Sequence, residues 1–396
     1  MATRSTRNRL SATLRVFRDT AHHHAITTPA VKKPDRPRRS HHRPTGFQNN
    51  YLEFSGKSLA QVLRWQWDAR RSGLPPRPCA PTPQVEPDLA FLHANANAGA
   101  GMQPTVTWIG HATVLVQAGG LTVLTDPVFS ARASPIGFAG PKRHQPPGMP
   151  LEALPHVDVV LASHNHYDHL DEASIRSLAR QAGGPPLFIV PLGLKAWLAA
   201  RGVHNAIELD WWERHHVEGV EVTLVPAQHW SGRGVTDRMK TLWGGFAVLA
   251  ANCHWFFAGD TGYSRDFEDI RAHFAERQAA HAGGGFDIAL LPIGAYEPRW
   301  FMAGQHVNVH EAVKIHRDLG AKRSLGVHWG TFELTDEALD EPPRALGRVR
   351  TAEGMAAEDF FVMAIGETRI VPRRTEPGLI LTPSQRPGAA ADTGGH

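Results

Sequence analysis

Cysteine is almost missing from this chain: Cys79 and Cys253 are the two among 396 residues. Two thiols cannot build a disulfide framework, and neither sits in the paired spacing of a zinc–thiolate site. That suits a reducing compartment, and a cytoplasmic location is expected. No run of eighteen apolar residues occurs either, so no membrane-spanning helix is expected. Acidic charge is scarce in one region only. Residues 1–43 hold eleven Lys and Arg against two Asp, a net of +9 in a chain of net +4, so the remainder carries −5. The basic character belongs to an arm and not to the body, which argues against a nucleic-acid partner. The arm has little apolar periodicity and reads as a disordered tail, with an Arg-rich, acid-poor composition that transit peptides share. A secretory apolar core is absent from it.

Histidine, by contrast, is plentiful, with 24 in the chain. His164, His166, Asp168 and His169 crowd into six residues directly after the apolar run 157–162. Imidazole and carboxylate are ligands that zinc prefers, and bound metal offsets the cost of burying so many polar groups. A strand ending in H-x-H-x-D-H therefore reads as a metal site, whereas an isolated pair such as His215-His216 reads as part of a polar loop.

Further candidates follow other apolar runs. His229 comes after 224–228, Asp260 after 255–259, and His328 after 324–327. Polar residues at the carboxyl ends of strands are where open α/β folds build their sites. Gly259 would let the backbone turn tightly beside Asp260. Together these residues make five histidines and two aspartates, enough for two metal ions with one bridging carboxylate.

Short β-rich runs at 105–109, 113–117 and 121–125, separated by glycines, predict a hairpin meander. Strands are then expected at 157–162, 187–190, 207–209, 220–226, 244–249, 255–258, 287–291, 324–327, 360–365 and 368–371. Helices are expected at 172–181, 194–200, 267–274 and 309–319. This alternation, opening with antiparallel hairpins, predicts an α/β fold of two mixed sheets with helices outside. The expected organisation is a disordered arm at 1–43, an N-terminal helix with a proline-rich connector at 44–104, the α/β domain at 105–372 and a flexible tail at 373–396.

The segment before that domain carries its own signal. Ser58 and Gln61 form a capping box, and Gly73 with Pro75-Pro76 supplies a stop. Leu59, Val62, Leu63 and Trp67 fall on one face of the implied helix, with Lys57, Arg64, Arg70 and Arg71 near it. Such a helix either lies on an anionic membrane surface or packs its apolar face on the body.

At the level of longer blocks, the chain resembles the metallo-β-lactamase superfamily and, within it, the N-acyl-phosphatidylethanolamine-hydrolysing phospholipase D family. The blocks are Thr107-Trp108-Ile109-Gly110-His111-Ala112-Thr113, Leu124-Thr125-Asp126-Pro127, and Ser163-His164-Asn165-His166-Tyr167-Asp168-His169-Leu170-Asp171. Val190-Pro191-Leu192-Gly193, Glu208-Leu209-Asp210-Trp211-Trp212-Glu213, Phe257-Ala258-Gly259-Asp260-Thr261-Gly262-Tyr263, Ile293-Gly294-Ala295-Tyr296-Glu297-Pro298-Arg299-Trp300-Phe301-Met302 and His328-Trp329-Gly330-Thr331-Phe332 complete them. The resemblance implies an αββα sandwich and a dinuclear zinc centre. One zinc would take His164, His166 and His229, the other Asp168, His169 and His328, with Asp260 bridging.

It also implies phospholipase D chemistry: hydrolysis of an N-acyl-phosphatidylethanolamine-like glycerophospholipid to phosphatidic acid and an N-acylethanolamine. Asp168, Asp260 and His306 are the catalytic candidates, His306 first for substrate contact and second as an acid. Asp126 and His111 are candidates for orienting ligands, and Lys142-Arg143 for drawing anionic substrate, with turn chemistry and surface charge as the rival roles. The resemblance breaks at Ile136-Gly137-Phe138, where related enzymes carry Ser-Gln-Tyr in a loop associated with the N-acyl amide. A peripheral membrane surface is an expected partner, and a homodimer is compatible with the sequence. The competing functions are another hydrolase on the same centre, such as a sugar-phosphate lactonase or a nuclease, and a scaffold that has lost turnover.

Overall fold

The computed structural model describes residues 41–53, 56–279 and 284–374. Residues 1–40 and 375–396 lie outside it, and with them most of the expected arm and tail.

Two seven-stranded mixed sheets form the frame. The first contains β3 (Thr105–Gly110), β4 (Thr113–Ala118), β5 (Leu121–Thr125), β6 (Val159–Leu161), β7 (Leu187–Pro191) and β8 (Ala206–Leu209), closed at its edge by β16 (Thr368–Ile370). The second contains β9 (Arg214–Val217), β10 (Val220–Val225), β11 (Gly245–Ala250), β12 (Cys253–Phe257), β13 (Ile288–Pro292), β14 (Ser324–Val327) and β15 (Phe360–Phe361). Each sheet begins as an antiparallel meander and turns parallel, at β5–β6 in the first and at β12–β13 in the second. A small hairpin, β1 (His42–Arg43) with β2 (Gly46–Phe47), precedes both.

Side-chain alternation explains the layering, because successive residues of a strand point to opposite faces. Val114, Val116, Val159 and Leu161 join Val222, Leu224, Phe246 and Trp255 in one core between the sheets. Their neighbours Leu115, Val160, Phe188 and Val190 turn the other way, onto α2 (Leu89–Ala96), α3 (Glu172–Leu178) and α4 (Lys195–Ala199) through Leu92, Ile175, Leu178 and Leu198. On the second sheet Phe256 meets Phe267 of α5 (Asp266–Ala279), while α7 (Val309–Asp318) and α8 (Glu341–Ala352) supply Val309, Val313, Leu346 and Val349. The inner strands are covered on both faces, so they read as continuous apolar runs. The result is an αββα sandwich of metallo-β-lactamase type.

The structure answers the two readings of the N-terminal helix in an unexpected way. Helix α1 (Leu59–Ser72) begins at the Ser58–Gln61 capping box and ends on Gly73 at φ 65°. It sits on the body, but through Trp65, whose indole N–H donates to Asp336 at 2.9 Å and whose ring lies 4.9 Å from Phe301 of α6 (Arg299–Met302). Leu59, Leu63 and Trp67 are left 74%, 56% and 67% exposed. The helix therefore packs with one face and keeps its most apolar face outward.

Two expected boundaries cut through ordered structure. The division at residue 43 falls inside the β1–β2 hairpin, and His41 is buried. At the other end Arg374 is buried against Asp287 at 2.9 Å, beyond the expected start of the tail.

Candidate metal centre

The loops at the carboxyl ends of β6, β10, β12 and β14 converge on one edge of the sandwich, and each delivers expected ligands. Residues 163–169 follow β6, His229 follows β10, Asp260 follows β12 and His328 follows β14. Local backbone supports this placement. Asp126, His111 and His328 all have positive φ (31°, 54° and 64°), a conformation non-glycine residues adopt at a cost and usually at functional sites. Gly259 also has positive φ, and a Cβ there would stand 2.6 Å from that of Ser163. Only glycine lets the β12 loop pass that close.

The donors gather in two sets. In the first, His166 Nδ1 lies 2.8 Å from His164 Nε2 and 3.2 Å from His229 Nε2. In the second, His169 Nε2 lies 3.1 Å from His328 Nε2 and 3.5 Å from Asp168 Oδ2. Asp260 stands between them. Its Oδ2 is 3.8 Å from His164, 3.7 Å from His229 and 3.0 Å from His169, while its Oδ1 is 3.2 Å from His328. All seven expected ligands are thus brought together.

Proton positions are set from behind. Asp126 accepts the Ser163 backbone N–H, the Ser163 hydroxyl and His169 Nδ1–H, each at 2.6 Å. With its proton committed to Asp126, Ser163 Oγ accepts from His164 Nδ1 at 2.9 Å. His229 Nδ1–H donates to the Gln305 carbonyl at 2.9 Å. In each of these three the nitrogen held from behind leaves the other one turned toward the centre. Burial disfavours charge on His169, but Asp260, Asp168 and Asp126 outweigh it and raise this imidazole well above the ordinary histidine pKa. Burial, with neighbouring imidazoles adding to it, holds His164 and His166 well below the ordinary histidine pKa, and burial lowers His229 to about 4. Burial opposes charge on Asp260 as well, but His169, His328 and His306 outweigh it and hold this carboxyl well below its usual range.

Such a donor set fits divalent metal. Imidazole nitrogens and carboxylate oxygens point at one another, and Asp260 Oδ1 is buried among them with no hydrogen-bond partner.

His306 comes close to the centre, with Nδ1 4.0 Å from Asp260 Oδ2 and unpartnered. It lines the mouth together with Met302, Gln305, Trp230, Tyr167 and Thr335. His111 differs from expectation in its target. Its Nε2 meets the Asp168 carboxylate at 3.1 Å and its ring lies 4.0 Å from that of His328, so it steadies a carboxylate ligand more than an imidazole. Arg143 draws nothing in: it is buried, donating to the carbonyls of Val128 and Ser130, and burial lowers its pKa to about 10. Supporting residues without a sequence signal are Asn49, whose Oδ1 accepts the His229 backbone N–H at 3.0 Å, and Trp230, edge-on to His166 at 4.2 Å.

A family model described as a beta-lactamase superfamily domain matches residues 122–329. An N-acyl-phosphatidylethanolamine-hydrolyzing phospholipase D of Caenorhabditis elegans is 41% identical over 274 residues, covering 66% of this chain and 74% of that protein. The chain belongs to this phospholipase D family within the β-lactamase superfamily. A Saccharomyces cerevisiae protein of the same description, named mitochondrial, is 40% identical over 61% of this chain and 50% of its own length. Among solved structures, an isothiocyanate hydrolase from Delia radicum gut bacteria aligns at TM-score 0.53 and 21% identity, over 68% of this chain and 99% of that one, a likeness of fold. The family member described here is accordingly an enzyme, a metallo-hydrolase of the β-lactamase fold. No helix among its described residues is long and apolar enough to cross a membrane.

Proposed function

We propose that this enzyme is a dinuclear zinc phosphodiesterase that hydrolyses N-acyl-phosphatidylethanolamine-like glycerophospholipids to phosphatidic acid and an N-acylethanolamine. The carrying observation is the division of seven donors into two sets that share Asp260. His164, His166 and His229 would hold one ion, Asp168, His169 and His328 the other. When bound, two zinc ions supply a water activated near neutral pH and a positive clamp for the phosphate oxygens. Asp260 holds the two sets at a fixed separation, and Asp126, Ser163 and Gln305 fix the imidazole tautomers before substrate arrives. His306, lowered to about 3 by burial, is neutral at physiological pH. A neutral imidazole at the mouth makes a hydrogen-bonding contact to substrate and is a weak proton donor, which favours substrate contact over acid catalysis.

A lipid substrate also accounts for the outer surface. Leu59, Leu63 and Trp67 of α1 are exposed, and Trp300, half exposed, sits under Arg64 at 5.4 Å in the short helix that also carries the mouth residue Met302. Phe138, 82% exposed, extends from the loop whose Ala133 lines the same mouth. Apolar tips with Arg64, Arg70 and Arg71 nearby suit peripheral attachment to an anionic membrane from the cytoplasmic side.

Incubation of the purified protein with a panel of glycerophospholipids, with products identified by mass, is the direct test. Phosphatidic acid with the matching N-acylethanolamine is expected. Release of diacylglycerol, or no turnover of any phospholipid alongside cleavage of a water-soluble lactone, would overturn the assignment.

A further inference from the structure

A second cluster of donors, sharing no residue with the first, lies where the β1–β2 hairpin meets the loop after β8. His41 Nε2 is 2.7 Å from Asp210 Oδ1, and His42 Nε2 is 2.9 Å from Asp210 Oδ2. One ligand atom from each of the three residues lies within 4.8 Å of the other two. His41 and Asp210 are buried, and the His42 side chain is 28% exposed. Consecutive residues on a regular strand face opposite ways. Here the turn at His41 and the first residue of β1 bring both imidazoles onto one carboxylate.

The catalytic centre supplies an internal standard for this arrangement. Its His164 and His166 rings stand 4.4 Å apart at 83°, and His164 and His229 stand 4.7 Å apart at 78°. The His41 and His42 rings stand 4.6 Å apart at 76°. Near-perpendicular imidazoles with converging nitrogens are how two histidines share an ion without their edges colliding. The donors are also braced from behind, as metal ligands are. Asp210 Oδ1 accepts the Trp211 backbone N–H at 2.8 Å, and His41 stacks on the Trp211 indole at 4.3 Å.

We propose that His41, His42 and Asp210 form a separate metal site for a zinc-like divalent ion, with a structural role. Two imidazoles and a carboxylate are a zinc donor set. The site ties residues that are 168 and 169 apart in sequence, so an ion there cross-links the strap at 41–53 to the body. That strap runs on to Asn49, which holds the backbone of the catalytic ligand His229, and to Asn50, which donates to Asp266 at 2.7 Å. The staple thus braces the catalytic centre from outside it. The staple requires no particular substrate.

Metal content per chain, measured by plasma mass spectrometry after zinc saturation and desalting, decides it. Three proteins are compared: wild type, His42→Gln and His42→Cys. Glutamine keeps a hydrogen-bond donor for Asp210 but is a poor zinc ligand, whereas cysteine is a good one. His42→Gln should hold one equivalent fewer than wild type, and His42→Cys should recover it. The same count in wild type and His42→Gln would show a His–Asp–His hydrogen-bonded clamp without an ion and overturn the site. The comparison is a difference, so it stays readable whatever number the catalytic centre binds. Failure of the dinuclear reading would show separately, as a His42→Gln protein holding fewer than two equivalents.

Discussion

Asp126 illustrates what a single residue contributes at this site. It stands behind the seven donors and accepts three hydrogen bonds, one of them from His169 Nδ1–H. Asparagine in its place keeps the shape but must turn an N–H toward one of those donors, so one bond becomes a repulsion. Residues in this supporting position typically change metal affinity about 10–100-fold. Asp126→Asn is therefore expected to weaken zinc binding by that order while the fold survives. Competition with a chromophoric chelator measures it, and wild-type affinity would remove Asp126 from the tuning of His169. The residue scale is also where the sequence was most legible. The H-x-H-x-D-H block and the three later ligands are side-chain chemistry written directly in residue type. Asn49 and Gln305 escaped because each acts on or through the backbone, and such contacts leave no pattern of spacing. His41 and His42 escaped because their partner is far away in the chain.

At the scale of elements, apolar runs with both faces buried announced themselves, and the expected strands match β3–β8 and β10–β16 with ends shifted by a few residues. Strands β1, β2 and β9 and helices α2, α6 and α8 were not foreseen. Strand β9 is Arg-His-His-Val on a sheet edge, half exposed, so it has no apolar alternation to detect. Helix α8 opens with Pro342 and Pro343, residues that end helices in the middle but suit a first turn. For α1 the pattern showed a helix but not which face would dock, because Trp65 docks through a hydrogen bond and an aromatic contact. This separation makes α1 testable. Trp67→Glu should reduce binding to anionic vesicles and activity on them, leaving thermal stability and hydrolysis of a short-chain soluble phosphodiester unchanged. The wild-type binding should weaken with salt, each basic residue near the surface contributing about 1 kcal/mol. Equal loss on both substrates would refute a lipid-facing role for this face.

Across the whole molecule, bound metal and the fold are thermodynamically linked. Five histidines and two aspartates turn donor atoms toward one another, so an ion that binds only the folded chain stabilises it. At a free zinc concentration about a thousandfold above Kd that linkage is worth about 4 kcal/mol for one site. Removing metal with a chelator should lower the melting temperature, and returning zinc should restore it. An unchanged melting curve after verified metal removal would mean that the donor cluster is satisfied without an ion.

The edge strand β16 carries a consequence for biosynthesis. It pairs with β3, Thr368 opposite Thr107, so the first sheet borrows its outermost strand from residues translated long after its other six. Until residues 368–370 leave the ribosome, β3 is an open edge with unpaired backbone groups, a template for pairing with other chains. The enzyme therefore finishes folding after nearly all of its described length has emerged. A nascent chain stalled before residue 368 should be an aggregation-prone species that a chaperone has to shield.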